Sequence, residues 1–236
     1  MRYTRHELKQ DRFAESAAGA MHWTVEHRSK LINGAIVLLV LVLLVGGGWW
    51  YMNHREQQAN EALGRAMIVY NAPIRPAGIP ADPQVNSYAS FAERAKAARD
   101  EFAKIADQYG SSRSGQYAKY FAALCDSDTG NTAGAEQSLK SVADSRNDEI
   151  ASLAKFALAT LYRGSNREAD AIKLLKELSD RPTISVPKTT AQFTLADIYE
   201  QKQPEEARKI YDQIAKDDPK GAAAELATNK RQALNK

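Results

Sequence analysis

The feature that most constrains this chain is one run of 21 residues, Leu31 to Tyr51, without a single charged side chain. A helix of that length rises about 30 Å, the thickness of the hydrocarbon core of a bilayer. The run therefore predicts one membrane span at 31–51. The competing reading is a buried core helix, but nothing else in the sequence has the long apolar runs needed to surround it. Everything else falls before or after this segment.

Could the run belong to a cleaved signal peptide? Gly46, Gly47 and Gly48 are small enough for cleavage. However, the leading segment is 30 residues long and contains acids, and the run ends in Trp49, Trp50 and Tyr51, which suit an interfacial aromatic belt. An uncleaved anchor is expected. The glycines read either as a swivel or as the frayed end of the span. Six bases precede the run (Arg2, Arg5, Lys9, Arg12, Arg28, Lys30), three of them close to it, whereas Arg55 and Arg65 are the near ones beyond it. The positive-inside bias places residues 1–30 in the cytoplasm and 52–236 outside it. Within the tail, Asp11 to Val25 reads either as a surface helix with Phe13, Met21 and Trp23 on its apolar side, or as a flexible segment.

Charge excludes one class of partner. Six of the 32 Lys and Arg and four of the 29 Asp and Glu lie at or before Tyr51, which leaves the remainder close to neutral. A balanced surface has no field with which to gather nucleic acid. The one cysteine, Cys125, rules out an internal disulfide, and its helical context suggests burial. Ala, Leu, Lys, Glu and Gln dominate beyond the span, so helix is expected nearly throughout. The helical pattern of Ala59, Ala62, Leu63, Ala66, Met67, Val69 and Tyr70 carries on from the span. Five breakers then follow, Pro73, Pro76, Gly78, Pro80 and Pro83, in a long loop over 72–86.

The soluble part carries an internal repeat. Ala135, Ala171 and Ala207 are spaced by 36 residues, and the same interval relates Leu139, Leu175 and Tyr211, and Val142, Leu178 and Ile214. Ala98, Phe102 and Ile105 extend the register one unit upstream. Each set has a partner segment with its own small residue, Ala123, Ala159 or Ala196, followed three residues later by Tyr162 and Tyr199 in the last two units and by Asp126 in the second. The unit is a helix hairpin. Small residues let two helices approach, and larger apolar ones fill the seam to the next hairpin. The period, the Leu-Ala-x-x-Tyr pattern, the Ala-x-x-x-(Leu/Tyr)-x-x-(Leu/Ile) pattern and the following Pro182 and Pro219 resemble tetratricopeptide repeats. Residues 219–234 read as a capping helix. The expected fold is all-α: one transmembrane helix, then a tetratricopeptide-repeat-like α-solenoid of about four hairpins with a C-terminal cap, over 52–236.

Tyr120, Phe156 and Phe193 recur at the repeat interval on the first helices. The repeat resemblance implies that this position faces a concave, peptide-binding side, with Tyr117, Leu124, Leu153, Asp197 and Glu200 flanking it. The same aromatic stripe also reads as ordinary packing within the array.

No reaction chemistry is legible. His6, His22, His27 and His54 never stand at i, i+4, so no metal site is suggested. Ser152-Leu-Ala-Lys155 and Ser185-Val-Pro-Lys188 match a serine–lysine pattern without its companion motifs. Asp126-Ser-Asp128-Thr-Gly130-Asn131 resembles a calcium loop only weakly and reads better as a turn. No enzyme, cofactor, metal or small-molecule substrate is expected.

The order of parts, a short tail, a span ending in Trp-Trp-Tyr, a helix running on from it and about four degenerate repeats, resembles the YfgM-like family. That resemblance implies a bacterial inner-membrane protein with a periplasmic repeat domain, ancillary to the SecYEG translocon and working beside the membrane-anchored chaperone PpiD. The implied function is a non-enzymatic, membrane-tethered protein-interaction module, with the lipid bilayer contacted through 31–51. Two alternatives differ in class: a scaffold for envelope assembly or division, and a signal relay acting through residues 1–30.

Overall fold

The computed structural model describes residues 28–80 and 86–234. The expectations for the tail before Arg28, and for Pro83 in the loop, lie outside the described residues. Among the described residues there are nine helices and no strand: α1 (Arg28–Tyr70), α2 (Phe91–Tyr109), α3 (Arg113–Asp128), α4 (Thr132–Ala143), α5 (Asp148–Gly164), α6 (Glu168–Asp180), α7 (Lys188–Lys202), α8 (Pro204–Asp217) and α9 (Ala222–Ala233). Internal contacts divide the chain into two units, one ending at His54 and one beginning at Arg55.

The first unit contains the apolar part of α1, which is long and apolar enough by length and composition to cross a membrane. Every residue from Ile36 to Val45 is exposed, from 47% at Val40 to 71% at Val45. Gly46, Gly47 and Gly48 lie inside the continuous helix, not at its end, so a frayed terminus there is not what forms. No charge or proline interrupts the i to i−4 ladder.

In the second unit each hairpin follows from its residue sizes. Ala98, Ala135, Ala171 and Ala207 are all fully buried (0%), and the larger residues that accompany them, Phe102 and Ile105, Leu139 and Val142, Leu175 and Leu178, Tyr211 and Ile214, are buried as well. Ala123, Ala159 and Ala196 on the facing helices are equally inaccessible. Alanine at a crossing point lets two backbones come together, and bulk beyond the crossing fills the seam. The pairs α3/α4, α5/α6 and α7/α8 form three hairpins, each packed on the next, and α9 packs on α8. The C-terminal part of α1 takes the place of the first helix before α2: Ala66 shares a core with Ala98, Phe102, Ile105, Ala118, Ala122 and Cys125.

Caps mark the helix starts. Ser90 Oγ accepts from the Glu93 amide at 3.1 Å, the N-cap bond, while the Glu93 carboxylate accepts from the amide of Ala89, one residue before the cap, at 2.8 Å. The start of α3 is capped twice, by Ser112 and, across 57 residues of sequence, by the Glu56 carboxylate, which accepts from the Arg113 amide at 2.8 Å. Gly115 is obligatory, because a Cβ there would overlap the Tyr109 carbonyl. The loop after Tyr70 is pinned at its base: Arg75 donates its amide to Tyr88 at 2.8 Å, Tyr88 donates to Pro73 at 3.1 Å, and Arg94 reaches the Ala72 carbonyl.

Candidate partner-binding groove

Two hollows lie between first helices of successive hairpins in the second unit. One, of about 710 Å³, is floored by Leu63 and Met67 of α1 and by Tyr117 and Phe121 of α3, with Asn60 and Arg113 also lining it. The other, of about 450 Å³, lies between α3 and α5 and is lined by Tyr120, Leu124, Phe156, Leu161, Thr160 and Asp128. Adjacent residues of α3, Tyr120 and Phe121, serve the two hollows, with their rings 5.3 Å apart. Helical geometry explains the division: successive side chains of a helix point about 100° apart, so adjacent residues of α3 turn toward different neighbours.

The eight residues singled out by sequence therefore separate. Tyr120, Leu124 and Phe156 come together in one hollow and Tyr117 lines the other, where the Arg113 guanidinium lies over its ring at 5.9 Å. Leu153, with Phe156, packs on Leu178, Val186 and Ala191. Phe193 leans on the buried Tyr211, ring centroids 6.1 Å apart. Asp197 and Glu200 are engaged: the Tyr211 hydroxyl donates to both, at 3.3 and 2.6 Å, and Lys230 of α9 reaches Asp197 at 2.6 Å. All eight are half-buried. Tyr117, Tyr120, Phe156 and Phe193 all pack against the buried core while staying half-exposed.

Burial perturbs the acid–base groups here. It pushes the Tyr120 hydroxyl up, with Tyr70 adding to the effect. Cys125, on the buried face of α3, is pushed up to about 12 by burial and then by Asp128 and Asp126, so it is an inert thiol. Burial also raises Asp128, partly offset by Arg94.

The chemical motifs resolve into structure. Ser152 Oγ donates to the Glu149 carbonyl at 3.0 Å and accepts from the Thr183 hydroxyl at 2.7 Å, while Lys155 pairs with Glu177, so serine and lysine have separate partners. Lys188 pairs with Asp217. Asp126 accepts from the Asn131 side chain at 3.0 Å and faces Arg99 at 3.4 Å, and Gly130 takes φ +84°, a tight inter-helix turn. Among the described residues no group of three or more His, Cys, Asp or Glu is placed to hold a metal ion.

A family model for tetratricopeptide repeat-like domains matches residues 22–236. The chain belongs to the tetratricopeptide repeat-like domain family. This tetratricopeptide repeat-like protein is accordingly all-helical and a protein–protein interaction module by class, a class typically without enzymatic activity. Comparison with curated proteins returns no match, nor does comparison with solved structures.

Several residues lining the hollows escaped the sequence reading, among them Leu63, Met67, Phe121 and Asp128. Leu63 and Met67 stand at i, i+4 and so share a face, which was a readable signal. Phe121 has no aromatic counterpart one repeat on, where Ala157 stands, so periodicity passes over it. Asp128 looked like part of a turn.

Proposed function

We propose that this protein is a single-span, membrane-tethered interaction module of the bacterial cell envelope, with residues 1–30 cytoplasmic, 31–51 in the bilayer and 52–236 periplasmic. Its partners are polypeptides held in the two hollows flanking α3. The observation that carries the reading is the apolar floor formed by Leu63, Met67, Tyr117 and Phe121, continued by Tyr120, Leu124 and Phe156. Concave, mostly apolar surfaces with a few polar groups are where proteins take ligands and peptide segments. Tethering acts by effective concentration, so individually weak contacts suffice near the membrane.

The resemblance to the YfgM-like family supplies the finer reading: an accessory of the Sec translocon and of a membrane-anchored periplasmic chaperone, holding emerging chains close to both. Photo-cross-linking amino acids placed at Tyr120 and Phe193 in the full-length chain test it in cells. Adducts with translocon or chaperone subunits at Tyr120 are the expected result, with weaker capture at Phe193. Adducts confined to unrelated cytoplasmic proteins would end it. A fusion of alkaline phosphatase after Lys236 should be active, and an inactive fusion reverses the topology.

A further inference from the structure

We propose that Gly46, Gly47 and Gly48 form a joint in α1 at the outer edge of the bilayer, about which the helix bends and redirects the repeat array over the membrane. The joint presupposes the span proposed for 31–51.

Nothing within the chain asks for glycine at these positions. All three lie inside the continuous helix Arg28–Tyr70, and a Cβ at any of them would meet no atom within 4 Å. Their φ angles are not positive, a region that only Gly78 and Gly130 take among the described glycines. Gly115 differs, because a Cβ there would overlap the Tyr109 carbonyl. Two uses remain, a notch for another membrane helix or a weak point in the hydrogen-bond ladder, and spacing separates them. A notch needs small residues three or four apart, stacked on one face. Here the positions three and four before the glycines are Val42, Leu43, Leu44 and Val45, and those three and four after are Trp49, Trp50, Tyr51 and Met52. All eight are large. Consecutive glycines spread instead over about 200° of the helix circumference and form no face. What they do is weaken the helix, since each loses more backbone freedom than alanine on becoming helical and leaves its peptide groups open to solvent. Sharp bends in helices occur at such points.

Position makes the weakness usable. In the hydrocarbon core an opened backbone group finds no water, so the ladder stays closed. These glycines are followed at once by Trp49, Trp50 and Tyr51, side chains that settle at the membrane–water interface. Water there takes up the carbonyls that a bend releases. The short distance to the rings also spares the anchor. At a rise of about 1.5 Å per residue, a bend of about 30° at Gly47 moves Tyr51 by about 3 Å. The same bend moves Met67, which packs in the first seam of the array, by about 15 Å. The rings keep their depth while the array sweeps a wide arc, and one tethered module reaches more partners.

The test compares the full-length parent in nanodiscs with two triple variants, Gly46→Ala/Gly47→Ala/Gly48→Ala and the same three positions changed to leucine. A dye on Glu61→Cys, selective because Cys125 is buried, reports wobble of the array. A larger fast component of depolarisation is expected in the parent than in either variant. Amide exchange at Trp50, Tyr51 and Met52, whose acceptors lie four residues back, should slow by at least about ten-fold in both variants. Exchange from Gln57 to Asn60 should stay slow throughout. Equal exchange at Trp50 to Met52 in parent and alanine variant, or equal wobble, overturns the joint. Fast parent exchange from Trp50 through Asn60 marks a frayed helix and overturns it too. A photo-cross-linker at Val45 that captures another membrane helix in the parent and alanine variant, but not in the leucine variant, assigns the glycines to a contact and also overturns the joint. A parent chain that alkaline carbonate strips from membranes removes the span and the joint together.

Discussion

The first and last seams of the repeat array share one register and are closed by different forces. At the first, Tyr70, Phe102 and Phe121 form a ring cluster with centroids 5.3 to 5.9 Å apart, and Glu56 ties the start of α3 to α1. At the last, α9 buries only Ala224 and Ala227 and is held by charge: Lys230 on Asp197, Arg231 on Asp212 at 2.9 Å, and Arg208 donating to the Leu234 carbonyl at 2.8 Å. Apolar burial is insensitive to salt, whereas half-exposed ion pairs are weak and screened. The opening end is therefore expected to be the stable one and to leave its apolar groove uncovered. The closing end is expected to be the first to loosen, while its charges occupy the positions that would otherwise line a groove.

The comparison breaks most readily at Phe102. Phe102→Ala, in a fully buried site, should cost about 3–5 kcal/mol, read by urea unfolding of the full-length chain in micelles, and a loss below about 1 kcal/mol would mean that the rings do not hold the seam. Glu56→Gln removes a charge that accepts two amides and the Ser114 hydroxyl. A loss of about 1–3 kcal/mol is expected, with faster amide exchange at Arg113 and Ser114 but not in α9. At the closing end Tyr211→Phe deletes the hydroxyl bound to Glu200 at 2.6 Å and should cost about 1–2 kcal/mol. Lys230→Met should cost under about 1 kcal/mol. That loss should vanish in strong salt while the Phe102 effect persists; equal salt sensitivity at both ends would erase the distinction.

Between the ends, Glu136 offers a pH readout. Lys140, then Arg167 and the Tyr162 hydroxyl, hold its carboxyl down at about 2 against the usual 4.5. A folded-state value below the unfolded one makes its contribution complete above pH 4.5 and lost as pH falls toward 2. Glu136→Gln should flatten that acid limb and leave the neutral range parallel to the parent, and an unchanged acid limb would show the cluster to be idle.

Much of this fold was legible because it depends on residue size at fixed intervals. Ala98, Ala135, Ala171 and Ala207 marked the crossings, and the run from Leu31 marked the apolar helix. The candidate groove was legible only in part. Tyr120, Leu124 and Phe156 line one hollow, Phe193 of the same interval does not, and Asp197 and Glu200 are engaged by Tyr211 and Lys230. No spacing rule connects Glu200 with Lys230, since their meeting depends on where a separate helix packs.

By itself the sequence determined the hairpins, their register and the apolar segment, since steric size and hydrophobic periodicity are properties of neighbouring residues along one chain. Tertiary structure alone decided which polar groups find partners. Glu56 reaches a helix start 57 residues away, Lys230 closes on Asp197, and Asp128 is left on the groove with none. Electrostatic satisfaction is a matter of distance in space, and only the packed array supplies those distances.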